Sequence, residues 1–207
     1  MPGETAAMRY ALVVGEKSSR KSAVMRRIAD GLAARGLRVA GFTQRMFEEG
    51  PGRKRVEVVR VGDGRAVPLA RTTADPGDAA AVCSFAFESP AFEEARRWIE
   101  ADAAEADVIL LDGIGKLELG GGGHRGAIEY ALRAGPPVVL ALREDSLVYA
   151  MDALALEEPL ASYGTTEDAA ALDRFLNAVG SAALTAASRP SPRSTTAAGV
   201  HERDAEE

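Results

Sequence analysis

At 207 residues, the chain is long enough for one α/β domain of ordinary size. Hydrophobic residues make up 46% and charged residues 27%, which supports a packed core and excludes a globally disordered chain. A net charge of −6 and a pI near 5.2 argue against a general nucleic-acid binder, and a single cysteine, Cys83, excludes an intramolecular disulfide framework. No apolar run approaches a bilayer span, and "MPGETAAMRY" lacks a basic segment followed by an apolar one. The expectation is a cytoplasmic protein without membrane attachment.

Strand-like and helix-like segments then alternate. "YALVV" (Tyr10 to Val14) is a short apolar run ending at Gly15, as a buried strand would. From Lys21 to Arg35, apolar Val24, Met25, Ile28, Ala29, Leu32 and Ala33 recur at helical spacing, and Gly36 stands where a helix end is expected. "LRVAGFTQR" resumes an extended pattern and completes a right-handed β-α-β unit. "RKRVEVVRVGDGRAVPLAR" alternates around "GDG" and predicts a β-hairpin excursion over about 53–71. "SPAFEEARRWIEADAAEA" predicts a helix with Ser89 as its N-cap. "DVILLDGIG" is the strongest strand, "GAIEYALRAG" a short helix, "PPVVLALR" another buried strand, and "DAAALDRFLNAVG" a last helix. The domain is thus expected over 8–180, with a disordered Ser/Ala/Pro-rich tail over 181–207.

Between the first strand and first helix stands "GEKSSRKS", Gly15 to Ser22. It fits the phosphate-cradle pattern G-x-x-x-x-G-K-[ST] at each defined position but one, where Arg20 replaces glycine. Such a loop aims backbone N–H groups at phosphate oxygens, its lysine reaches the β/γ-phosphates, and its hydroxyl binds Mg2+. Gly15, Ser19, Arg20, Lys21 and Ser22 are therefore the candidate ligand-binding residues. The glycine normally adopts a backbone conformation that costs a residue with a Cβ about 1–2 kcal/mol. Arg20 either distorts the cradle or sets a guanidinium beside a bound anion.

A working loop needs an acid at the end of a buried strand to complete the Mg2+ shell. "VILLD" supplies Asp112, which with Ser22 forms the candidate metal site. Gly113 follows where a water-activating glutamate is usual, so Glu118 in "GKLEL" is the nearest acid that could position water. Its alternative is a solvated loop carboxylate. "GGGGH" (Gly120 to His124) reads as a lid or a flexible connection. His124 cannot define a metal site alone, since the other histidine, His201, lies in the tail. Arg143, after a buried strand, either faces the ligand or is solvated.

With these residues in place, the sequence resembles the P-loop nucleoside-triphosphatase family first described from thermophiles. "DGIGKLEL" (Asp112 to Leu119) matches that family's D-E-[IV]-G-x-M-E-L motif except at Gly113, and "ARGLRVAGFTQR" is similar to its G-x-x-V-x-G-F-x-T stretch. The likeness covers roughly Tyr10 to Leu147. It looks closer still to related bacterial domains, uncharacterised as a group, with eroded P-loops, Gln-Arg after the second strand (Gln44-Arg45) and "GKLE". Some are encoded near molybdenum-uptake genes. The resemblance implies an α/β three-layer sandwich of P-loop type with a mainly parallel sheet. It also implies a small-molecule nucleotide or an oxyanion such as molybdate as ligand; charge and hydropathy are what argue against nucleic acid and membrane as partners.

Three readings stay open. The protein is a slow nucleoside triphosphatase using Lys21, Ser22, Asp112 and Glu118, or a non-hydrolysing nucleotide or molybdate binder linked to molybdenum metabolism. In the third, it is a scaffold carrying a relic loop.

Overall fold

The computed structural model describes residues 8–16, 20–73, 81–82 and 85–187. Ser19 and Cys83, and the tail beyond 187 with His201, lie outside the described residues. Five strands form the parallel part of one sheet: β1 (Tyr10–Gly15), β2 (Val39–Gly50), β7 (Val108–Ile114), β8 (Val138–Arg143) and β9 (Ser162–Gly164). The antiparallel part adds β3 (Arg53–Arg60), β4 (Ala66–Thr72), β5 (Ala81–Val82) and β6 (Phe85–Phe87). The full order is β5-β6-β4-β3-β2-β7-β8-β1-β9.

Strand residues alternate between two cores, as a pleated sheet requires. Leu12, Phe42, Ile109, Leu111 and Leu140 face α2 (Ser89–Asp102), α4 (Arg125–Arg133) and α5 (Leu147–Ala153), which follows a 3-10 turn at Glu144–Ser146. Val13, Val108, Leu110, Val139 and Ala141 face α1 (Lys21–Ala33) and α6 (Ala169–Ala187). The result is the three-layer α/β sandwich that the alternation predicts. Met25, Ile28 and Leu32 of α1 are fully buried, each worth roughly 1.5–3 kcal/mol relative to exposure. That packing fixes the start of α1, and with it Lys21 and Ser22, against the ends of the parallel strands.

The antiparallel part is larger than the excursion read over 53–71. β2 runs on past the parallel region to Gly50, turns at Pro51-Gly52 and pairs with β3 from Phe42↔Arg60 outward, so the hairpin continues the main sheet. Ser89 is not the cap of α2. Glu88 holds that place and Ser89 opens the helix, with Pro90 in its first turn. The boundary at 180 falls inside α6, which continues to Ala187 and buries Ala183.

Candidate phosphate and cation site

The C-terminal ends of β1, β7 and β8 meet the N-terminus of α1. Arg20 has φ 58 and ψ 27, the left-handed conformation that the pattern's glycine would supply. Only Ala155 among the other described non-glycine residues has a positive φ. Arg20 therefore keeps the glycine-type backbone conformation at its own position and stores the cost as local strain, about 1–2 kcal/mol. The Arg20 side chain does not cap α1.

Lys21 folds back over the loop, its Nζ donating to the carbonyls of Gly15 at 3.0 Å and Glu16 at 2.6 Å. Burial pulls its pKa below the ordinary lysine value, Asp112 and Asp145 oppose that, and Arg143 adds to it. Lys21 thus shares one electrostatic neighbourhood with two carboxylates and a guanidinium. Arg143 belongs to this group: it lies beside Gly15 in the β1/β8 register, and its Nε is 3.1 Å from Asp145 Oδ1.

Asp112 is 2% exposed at the end of β7. Its carboxylate accepts a hydrogen bond at 2.9 Å from the Gln44 backbone N–H, and the Ser22 hydroxyl lies close enough to influence its titration. Burial raises its pKa, against the nearby Ser22 hydroxyl, the Gln44 hydrogen bond and the positive charges of Arg26 and Lys21. Arg26, one turn along α1, donates through Nη1 to the Gln44 carbonyl at 3.2 Å. Ser22 and Asp112 are hard oxygen donors, which suits Mg2+ held through one or two protein groups with phosphate and water completing its shell. Among the described residues, no cluster of three or more His, Cys, Asp and Glu could hold a metal by itself.

Glu118 sits on α3 (Lys116–Leu119), a single turn after β7. It is 4% exposed, so the solvated-loop alternative is overturned. One oxygen accepts the Gly115 N–H at 3.0 Å and the other the His124 N–H at 3.3 Å. The glycine run folds back on α3: Gly122 N–H donates to the Leu117 carbonyl, and a Cβ at Gly123 would lie 2.3 Å from Glu118 Oε1. Both oxygens are thus engaged by backbone, which favours a role in fixing the loop over direct contact with water. His124 is 2% exposed between Phe42 and Phe92, ring centroids 4.4 and 4.7 Å away. Burial lowers its pKa to about 3, so it is neutral and serves the core.

Sequence reasoning missed Arg26, and it noted Gln44 without giving it a place in the site. Arg26 carried a detectable signal, because it lies one helical turn after Ser22, on the same face of α1. A cleft of about 260 Å3 lined by Arg38, Arg60 and Asp102 lies at the opposite end of the parallel strands, where β2 and β7 begin. Its two arginines are already paired, Arg60 with Asp102 and Arg38 with Asp107.

A family model described as "Protein of unknown function (DUF2478)" matches residues 10–150. No curated protein matches the chain. Among solved structures, the solution structure of a human cancer-related nucleoside triphosphatase is similar, with a TM-score of 0.59 and 18% identity, over 88% of this chain and 100% of that one. That likeness shows a common fold, the P-loop nucleoside-triphosphatase type. No described helix is long and apolar enough to cross a membrane.

Proposed function

The chain belongs to the family of proteins of unknown function DUF2478, and on that premise we propose that it binds a Mg2+–nucleoside triphosphate and hydrolyses it slowly. The observation that carries this reading is the placement of the loop hydroxyl, Ser22, beside the buried strand-end acid Asp112, whose pKa it lowers. A relic loop has no need to keep hydroxyl, carboxylate and lysine together, or to hold Arg20 in a strained conformation.

In this reading, Gly15, Ser19, Arg20, Lys21 and Ser22 surround the phosphates. Lys21 exchanges its loop carbonyls for the β- and γ-phosphates, and the Arg20 guanidinium adds a charge at the mouth of the loop. Ser22 and Asp112 hold Mg2+, which when bound neutralises charge developing on the phosphates. Arg143 lies on the same side and screens the same charge. Glu118 acts as a positioning residue that anchors Gly115 and His124 beside the end of β7. Gly113 leaves the general-base position without a carboxylate, which accounts for slow turnover, since a positioned base typically contributes about 10²–10⁴-fold.

The anion chemistry of the cradle is shared by free oxyanions, so molybdate, with its link to molybdenum metabolism, is the competing ligand. Calorimetric titration with Mg·ATP, Mg·GTP and molybdate tests the proposal. Micromolar binding of a triphosphate is expected. Binding of molybdate alone would replace the nucleotide reading with an oxyanion one, and binding of none of the three would contradict both.

A further inference from the structure

Gly113 is more than a missing glutamate. Its φ is +90, and a Cβ built there would lie 2.0 Å from Gln44 Nε2 and 2.8 Å from Gln44 Oε1. The Gln44 amide therefore fills the space where a side chain at 113 would begin. Gln44 is also fixed in place at both backbone groups, its N–H on Asp112 Oδ2 and its carbonyl on Arg26 of the phosphate-loop helix. A half-buried polar side chain is thus held directly over the residue after the cation-site acid, by contacts that do not involve its own amide.

From this geometry we propose that the Gln44 side chain is the water-orienting group of the site, standing in for a carboxylate at 113. This rests on the nucleotide-binding reading above. An amide offers both a donor and an acceptor, so in the transition state it can accept from the attacking water while donating to a terminal phosphate oxygen. Glutamine orients the attacking water in other P-loop triphosphatases. In the step itself, the water oxygen bonds to the γ-phosphorus and the bridging β–γ P–O bond breaks. The bond's electron pair stays on the departing diphosphate. The amide is too weak a base to keep a proton, so the water proton passes to an oxygen of the transferred phosphoryl group. Water is thereby oriented without a protein base to take its proton, which fits slow turnover.

The proposal separates Gln44 from residues that only support the fold. Gln44→Ala and the shape-preserving Gln44→Met both keep the backbone N–H that holds Asp112. Each is compared with the wild-type full chain for Mg·ATP affinity and single-turnover hydrolysis. Affinity is expected to stay at the wild-type level while the rate falls by about 10²-fold, as when one preorganised amide is removed from a reacting centre. A second readout needs no turnover. Gly113→Ala should lower the melting temperature in the wild-type background, and by less in the Gln44→Ala background, because the clash is gone and only the strain at φ +90 remains. Wild-type hydrolysis rates in both Gln44 variants would overturn the proposal, as would nucleotide binding by the wild type without any turnover. Absence of nucleotide binding by the wild type is a different failure, that of the binding reading itself.

Discussion

The backbone N–H of Gln44 donates to Asp112 Oδ2 at 2.9 Å, so β2 holds the carboxylate that ends β7. Burial raises the Asp112 pKa, which places the folded value above the unfolded one. Such a group favours the folded state below its unfolded pKa, and that contribution is lost as pH rises through the raised folded value. In its ionised form the buried carboxylate is a burden kept for its chemistry. Asp112→Asn keeps the acceptor for Gln44 and removes the charge. We expect a higher melting temperature than wild type at pH 7, an advantage that shrinks toward pH 4, and loss of the Mg2+ dependence of nucleotide binding.

Arg20 sits in a left-handed conformation that glycine adopts without a Cβ clash. Arg20→Gly should raise stability by up to about 1 kcal/mol, the strain relieved less the entropy glycine adds to the unfolded chain. Its affinity for triphosphate should nevertheless fall by about 5-fold, the scale of one partly solvated charge contact. Thermal melts and titration of the same variant read the two effects separately. A gain in both would mean that the guanidinium does not touch the ligand.

His124 is neutral and buried, with a pKa lowered to about 3 by desolvation. The unfolded chain binds the proton more readily, so stability present above pH 6.5 is lost as pH falls from there toward 3, at up to about 1.4 kcal/mol per pH unit. Glu118, whose oxygen accepts the His124 N–H, has a raised pKa and acts with the opposite sign above its ordinary value. The His124 effect is therefore read as a difference between variants. His124→Leu should flatten the fall in melting temperature between pH 6.5 and 4.5 and leave neutral-pH stability equal or higher, because two buried ring nitrogens without partners are removed.

α6 continues past Gly180, burying Ala183, and the Ala182 carbonyl accepts from Arg9 Nη1 at 3.2 Å. Ending the chain at Gly180 should therefore cost about 1–2 kcal/mol, from one buried methyl, one tether and a shortened helix. Denaturant unfolding of the shortened and full-length chains measures it.

The parallel half of the fold is legible because its strands are buried on both faces and read as unbroken apolar runs, as in "VILLD" and "VVLAL". The outer half of β2 is not. From Gln44 to Gly50 it is mostly exposed, and its pairing with β3 leaves no continuous apolar run. β9 has three residues around one buried tyrosine, Tyr163, too short for a pattern. In the site, Lys21, Ser22 and Asp112 were legible because their chemistry fixes their spacing from a strand end. Gln44 acts through a backbone N–H and through the space it fills, neither of which residue type reveals. The burial of Glu118 is not legible in "GKLEL", because it comes from the glycine run that folds back over the carboxylate.

The central claim is that the loop from Gly15 to Ser22 binds triphosphate through Lys21. Its most direct test is the affinity of Lys21→Ala for Mg·ATP beside that of the wild type, both confirmed as folded by their melting curves. The account predicts micromolar binding by the wild type and none detectable in the variant. Equal affinity in a folded variant would contradict it.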